Sequence, residues 1–430
     1  MQVKSFRFNL QELGGALGDL GTLLPLMVGM ILINGLNATS VLLGVGLFYI
    51  AAGLYYRIPM PVQPLKAVAA IAISLSLSAS VIQAAGLLMG AILLLLSVTN
   101  LISLVARLFP RPVVKGIQLS IGLILFRKGI ELAFSRQLFV GGLSRSPDSD
   151  VMPVGILLAA SALVVFLVFK FIFHRWNRLS PVLALLVFGL GAGFLFAPVP
   201  KLETLSLALP TIALPEAGDF WLALMVLVVA QLPLTLGNAV ISTADTARVY
   251  FDDKAYRATH RALTASMGMA NLASGLVGGM PMCHGSGGLT AHYKLGARTG
   301  GANLMIGSLL VVFGLLFGPS ALFLFTLIPL SVLGILLVIV GIYHAFLVRE
   351  LTAGKQLAVA AAVAAVTLAS GNLAYGFGSG ILLYHGLNLI QKGFTLLPGL
   401  ARLLLRIRAL FQLKVSRQGQ VGSVVEKTRI

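Results

Sequence analysis

Apolar runs with almost no charge recur along the chain from Leu10 to Ile390, broken by short junctions that hold Arg, Lys, Pro and Gly. A helix of roughly 20 residues covers the ~30 Å hydrocarbon core of a bilayer. In that medium a helix satisfies its own backbone, which an open strand does not. The pattern therefore predicts membrane helices at 11–33, 38–56, 63–79, 81–106, 112–134, 153–173, 181–199, 220–244, 258–277, 284–298, 301–318, 320–347, 354–370 and 372–391, fourteen in all. The third and tenth are short for a full crossing. Each is expected to complete it with extended backbone.

The interruptions inside these runs are paired. Glu12–Asp19 (ELGGALGD) aligns with Gln231–Asn238 (QLPLTLGN) at an offset of 219 residues, and Met60–Gln63 (MPVQ) with Met280–Cys283 (MPMC) at 220. Two matches at nearly one offset point to a duplicated half. Both copies break apolar runs with Pro or Gly, and irregular backbone survives at membrane depth only where protein or a watery cavity satisfies it. Paired interruptions of this kind are the best pointer in a sequence to a transporter's binding site. Seven spans precede the polar stretch Lys201–Asp219 and seven follow it. An odd number per half inserts the second half upside down. The expected fold is an all-α integral membrane protein with a 7+7 inverted repeat, its halves at about 10–200 and 219–391, and half-helices at spans three and ten. The transmembrane domain is read as 1–392, with an amphipathic interfacial helix at 393–413 and a disordered tail at 414–430.

Composition agrees: 58% of residues are hydrophobic and 10% charged, which excludes an ordinary soluble domain. The net charge of +18 would suit nucleic acid, but its placement argues otherwise. With the N-terminus inside, 25 of the 31 Lys and Arg fall on the cytoplasmic side, five outside, and Lys66 within the membrane. That is the positive-inside pattern. The basic charge then marks topology and contact with anionic lipid headgroups. Both termini are expected in the cytoplasm and the protein in the cell inner (plasma) membrane. No cleavable signal pattern is read at the start, since Glu12 and Asp19 lie inside the first apolar run. A single cysteine, Cys283, excludes an internal disulfide.

The candidate chemistry lies in the paired segments. Pro59 and Pro61 keep the chain extended, Pro64 suits the first turn of a helix, and Lys66 follows at once. A helix N-terminus with one ammonium is an anion site. The other reading is a lysine that snorkels or pairs with a carboxylate. The partner segment, Gly278–Gly288, carries Cys283, His284, Gly285, Ser286 and Gly287. Its glycines allow close backbone approach, and Ser286 and His284 add donors. Tight helix packing, with His284 bonded to a backbone carbonyl, is the competing reading. Metal binding by Cys283 and His284 is not expected, because no further ligands cluster nearby. Asp19 matches Asn238 in the repeat and Glu12 matches Gln231, so the first half carries the acids and the second the amides. Such an acid carries a coupling proton or pairs with Lys66; otherwise it caps broken backbone. Asp245 is read as structural, bonded to Arg248 or to nearby backbone.

The segments ELGGALGDLGTLLPL, PMPVQPLKA, GNAVISTADTARVYF and GGMPMCHGSGGLTAHYKLGARTGG resemble the molybdate transporter family, a branch related to the sulfate permeases. The resemblance implies the fourteen-helix fold shared with the sulfate and uracil–xanthine permeases, with core and gate domains. It implies substrate between the half-helices of spans three and ten, and no cytoplasmic STAS domain. The residues alone reach only as far as a small anion. On both grounds the expected site comprises Val62, Gln63, Lys66, Asn238, Cys283, His284, Gly285, Ser286 and Gly287. Asp19, Glu12 and His284 are the candidate proton carriers. The expected function is secondary active import of molybdate, proton-coupled, by alternating access. Tungstate and sulfate are expected competitors, and a second copy of the chain is admitted as a partner. No cofactor is expected, and no nucleophile–base pair or metal cluster signals an enzyme. Sulfate or another oxyanion is the alternative substrate; a nucleobase permease or an anion channel fits the residues less well.

Overall fold

Helices fill the computed structural model, which describes residues 6–106, 108–140, 152–172, 181–197 and 214–390. The first half contributes α1 (Leu10–Ala16), α2 (Leu20–Asn34), α3 (Ala38–Tyr56), β1 (Gln63–Pro64), α4 (Lys66–Leu75), α5 (Ala79–Thr99), α6 (Ile102–Ala106), α7 (Arg111–Ala133), α8 (Met152–Phe171) and α9 (Pro181–Phe196). The second contributes α10 (Ala217–Ala223), α11 (Val229–Leu234), α12 (Thr243–Phe251), α13 (His260–Leu276), β2 (Met282–Cys283), α14 (Ser286–Lys294), α15 (Gly301–Thr326), α16 (Leu330–Phe346) and α17 (Gly354–Ser370). Residues up to Ser379 form one compact unit. In the second, Gly380–Ile430, residues 380–390 are helical. The expected interfacial helix at 393–413 and the tail at 414–430 lie outside the described residues.

Among the described residues, six helices are long and apolar enough to cross a membrane by length and composition: 10–34, 38–56, 79–99, 152–171, 217–255 and 330–350. Large apolar side chains such as Leu95, Leu157 and Val187 are exposed. On a protein solvated by lipid these are the outer face.

The duplication is visible in the packing. α4 begins at Lys66 and α14 at Ser286, 220 residues on. β1 pairs antiparallel with β2, and the register sets Gln63 opposite Cys283, again 220 apart. Antiparallel strands that pair equivalent residues are what a pseudo-two-fold axis requires. The helices obey the same axis: α3 packs on α15, α5 on α13, and α7 on α16. On the last contact, a Cβ at Gly122 would meet the Gly341 carbonyl and one at Gly341 the Gly122 carbonyl. Only small residues let two helix backbones approach this closely in lipid.

Three sequence expectations need correction. Pro64 does not open the half-helix. It lies in β1, Leu65 is the N-cap, and α4 starts at Lys66. Proline lacks a donor, so the Leu65 N–H makes the next bond of the strand crossing, to Pro281 O at 3.0 Å. The break between the eleventh and twelfth spans falls at Leu327–Pro329, not at 318–320, because α15 runs on to Thr326 and Pro329 caps α16. The eighth span runs without interruption from Ala217 to Phe251, longer than 220–244, through π-helical stretches at Leu224–Val228 and Thr235–Ser242.

Candidate functional site at the strand crossing

Extended backbone in a membrane needs partners, and each carbonyl from Pro59 to Val62 has one. Pro59 O is bonded by His292 Nδ1 at 3.1 Å, Met60 O by Asn303 Nδ2 at 2.6 Å, Pro61 O by His284 Nδ1 at 2.8 Å, and Val62 O by the Tyr49 hydroxyl at 3.1 Å. A carbonyl only accepts, so both histidines present Nδ1–H. The matching stretch before α14 is held mainly by its own half, with Pro281 O taken by Leu65 N–H of the first. Asn271 donates to Met282 O and accepts from Met282 N, and Ser274 donates to Met280 O.

At the N-terminus of α4, Gln231 Oε1 accepts from Ala67 N at 2.8 Å and Val68 N at 3.3 Å. The second half thus caps the first half's half-helix. Across the crossing, Ser286 Oγ donates to Asn238 Oδ1 at 2.9 Å. Asp19 Oδ1 accepts from Gln63 Nε2 at 2.5 Å. Asp19 and Asn238, equivalent in the repeat, therefore each grip the opening of a different half-helix. Both sit where the α-helix is disturbed, Asp19 in a 3-10 turn and Asn238 in a π stretch. Such disturbances mark functional positions in helices.

Glycine is required here. A Cβ on Gly285 would overlap Gln63 Oε1 and stand 3.7 Å from Lys66 Nζ. One on Gly288 would stand 2.6 Å from both Asp19 Oδ2 and Gln63 Nε2. Gly287 has nothing within 4 Å and is exposed. Lys66 Nζ makes no ion pair or hydrogen bond among the described residues. Asp19 Oδ2 and Gln63 Oε1 are buried without a hydrogen-bond partner there. Gln63, Lys66, Gly285, Ser286, Gly287, Asn238 and Asp19 thus meet at one place. It offers an ammonium and the positive ends of two half-helices, that of α4 already capped by Gln231 and the Ser286 hydroxyl donating to Asn238, with one carboxyl beside them.

Other expected residues go elsewhere. His284 has both ring nitrogens engaged, Nδ1 on Pro61 O and Nε2 on Ser266 Oγ at 3.0 Å. Its ring is enclosed by Phe48 and Tyr56. It is the satisfied histidine of the competing reading. Cys283 is buried in β2 with Sγ 3.6 Å from Pro64 O, and Val62 is buried with its carbonyl on Tyr49. Glu12 caps a distant turn: Oε2 accepts from Arg298 N and Thr299 N, Oε1 from Thr299 Oγ1. Asp245 is exposed and forms no ion pair with Arg248 among the described residues. Sequence reasoning missed Tyr49, Asn271, His292 and Asn303 as holders of the crossing. Their one signal was polarity inside an apolar run. No group of three or more His, Cys, Asp or Glu suited to a metal occurs among the described residues.

Residues 11–125 and 223–343 match the family described as molybdate transporter of the MFS superfamily. Molybdate transporter 2 of Arabidopsis thaliana is 32% identical over 402 residues, covering 87% of this chain and 86% of that protein. Molybdate transporter 1 of Chlamydomonas reinhardtii is 28% identical over 469 residues, covering 86% and 90%. Among solved structures, the transmembrane domain of a cyanobacterium bicarbonate transporter, BicA, matches with a TM-score of 0.62 at 18% identity, over 87% of this chain and 96% of that one. Murine Solute Carrier 26 family member A9, an anion transporter in the inward-facing state, matches with a TM-score of 0.65 at 15% identity, over 91% and 70%. The fold is an all-helical membrane transporter fold of the inverted-repeat type.

Proposed function

The chain belongs to the molybdate transporter family, and we propose that it imports molybdate through the site where α4 and α14 face each other. Its relatives are named transporters, and the chain is a transporter and not an enzyme. The observation that carries the reading is the pair of half-helices opening at Lys66 and Ser286 around an ammonium without a partner among the described residues. Two helix N-termini and one ammonium suit a tetrahedral dianion. Gln63, Lys66, Asn238, Gly285, Ser286 and Gly287 line the site. Val62, Cys283 and His284 shape it through the backbone. The full chain has fourteen spans in a 7+7 arrangement, both ends in the cytoplasm, and works by alternating access in the plasma membrane.

Import opposes the membrane potential by ~2.3 kcal/mol per charge per 100 mV, so a dianion needs a driving ion. We infer proton coupling through Asp19, whose carboxyl stands beside the site with one oxygen unbonded. A proton there removes a negative charge beside the anion and supplies a donor. Glu12 and His284, fully bonded elsewhere, are weaker candidates. The experiment is uptake of labelled molybdate into proteoliposomes with and without a pH gradient, challenged with tungstate and sulfate. Accumulation driven by an acidic outside, blocked by tungstate, supports the reading. Preference for sulfate over molybdate, or binding of a nucleobase and neither oxyanion, overturns it.

A further inference from the structure

Beside the strand crossing, with Met282 of β2 in its wall, a cavity of about 580 Å³ opens between α3 and α13. Its walls are apolar: Leu43, Leu47 and Ala51 on one side, Met269, Ala270 and Ala273 on the other. Leu47 and Met269 are more than half exposed. The lining runs from Leu43 to Tyr56, thirteen helical steps, or about 20 Å at 1.5 Å per residue. One leaflet's share of the hydrocarbon is about 15 Å. The groove is as long as one lipid tail and open to the bilayer.

One end is built differently. Tyr55 and Tyr56 close α3, and the Arg257 guanidinium rests over the Tyr55 and Tyr256 rings at 5.6 and 5.3 Å. Nη1 donates to Tyr55 O and Nε to the Tyr256 hydroxyl, both at 2.8 Å. Nη2 has no partner among the described residues. Arg57, Lys254 and Arg261 stand nearby in the sequence, against two acids, Asp252 and Asp253. Tyrosine and arginine at the end of an apolar groove are the residues of the headgroup zone, and a guanidinium fixed on two edges presents its third to a phosphate.

The groove also touches the site. Tyr56, in its wall, is bonded to Ser266 Oγ at 2.8 Å, and Ser266 to His284 Nε2 at 3.0 Å. His284 holds Pro61 O at 2.8 Å. What packs against Tyr56 and Ser266 is thus three bonds from the backbone of the crossing.

We propose that the groove between α3 and α13 binds one anionic phospholipid, its tail along Leu47 and Met269 and its phosphate on Arg257, and that this lipid steadies the strand crossing through Tyr56, Ser266 and His284. The test uses the full-length protein purified from, and reconstituted in, mixtures of phosphatidylglycerol and phosphatidylethanolamine. Co-purifying lipid is quantified by mass spectrometry after detergent washing. The wild type is expected to retain phosphatidylglycerol in preference. Arg257→Gln should lower that preference roughly five-fold, the weight of one basic residue at an anionic surface. Ala270→Phe and Ala273→Phe, which fill the groove from an open wall, should lower retention of both lipids. Thermal stability of the wild type should rise with added phosphatidylglycerol, and that of Ala270→Phe should not. Unchanged retention in Arg257→Gln and both groove-filling variants overturns the proposal. Conversion of a dimer to monomer by Ala270→Phe overturns it too, because the groove is then a contact between copies. Retention is read without transport, so failure of the molybdate reading leaves this one standing.

Discussion

Gly288→Ala puts one methyl group where the structure has no room for it. The added Cβ would lie 2.6 Å from Asp19 Oδ2, 2.6 Å from Gln63 Nε2 and 2.7 Å from Pro61 Cβ. Pro61 is fixed, since its carbonyl is held by His284, so the strain falls on Asp19 and Gln63 and their 2.5 Å bond. Losing a buried hydrogen bond of this kind costs ~1–3 kcal/mol, and overpacking adds ~1–3 kcal/mol. The expected loss of stability is roughly 2–6 kcal/mol. Gly287, one residue earlier on α14, is the control: nothing lies within 4 Å of its Cβ position. There alanine should be neutral or gain ~0.5–1 kcal/mol from helix preference. Thermal unfolding of the purified full-length variants is the assay. Repeating Gly288→Ala in an Asp19→Ala background adds the decisive comparison, since removal of the carboxyl makes room for the methyl. The part of the loss that falls on the Asp19–Gln63 bond should then disappear, while the contact with Pro61 Cβ remains. Equal midpoints for the two alanine variants, or a Gly288→Ala shift of the same size with and without Asp19, would refute the reasoning.

Four other outcomes are expected. Lys66→Ala should weaken molybdate binding by ~2–3 kcal/mol, as loss of a charge-assisted hydrogen bond does, and Lys66→Arg should weaken it less; calorimetric titration giving equal affinity for wild type and Lys66→Ala would remove Lys66 from the site. Asp19→Asn keeps an acceptor for Gln63 but no titratable group, so exchange of bound substrate should survive while pH-driven accumulation is lost; accumulation with unaltered pH dependence would make Asp19 structural. Gln231→Leu strips the cap from Ala67 N and Val68 N and should cost ~1–3 kcal/mol per unsatisfied group, visible as a lowered thermal midpoint that Gln231→Glu partly restores. Lys254→Cys should resist membrane-impermeant thiol reagents in intact cells while Arg136→Cys is labelled, with buried Cys283 a silent background; the reverse pattern would invert the topology read from the Lys and Arg distribution.

The hydrophobic pattern carried the helical architecture because lipid leaves the chain so few options. The duplication was legible because MPVQ and MPMC keep proline and methionine at fixed places. Their antiparallel pairing, Gln63 against Cys283, follows once the halves are inverted. Lys66 stood out as a charge in an apolar run. The partners of the crossing were hidden for a different reason. Asn303 and Met60 are 243 residues apart, and an asparagine in a helix does not announce which backbone group it bonds. His284 and Glu12 show the same limit from the other side. Each has the chemistry of a proton carrier, and only the positions of Ser266, Pro61 and Thr299 show that its bonding capacity is used up. The half-helix start was misplaced by two residues, at Pro64 and not Lys66, and the break before α16 by about ten, because α15 runs on through Pro319 to Thr326 and the helix stops only before Pro329.

The four carbonyls of Pro59–Val62 have a consequence for how the protein is made. Three of their donors, His284, His292 and Asn303, are synthesised 223 to 243 residues after the groups they satisfy. At a ribosome speed of ~5–20 residues per second, that is a delay of roughly 10–50 s. During it the first half sits in the bilayer with only Tyr49 engaged along this stretch and with the amides of Ala67 and Val68 uncapped. Polar backbone left bare in hydrocarbon costs several kcal/mol per group, so the nascent first half cannot hold its finished form. It must wait, shielded by the insertion machinery or by transient helix, until the second half arrives and the two halves complete each other in a late, concerted step.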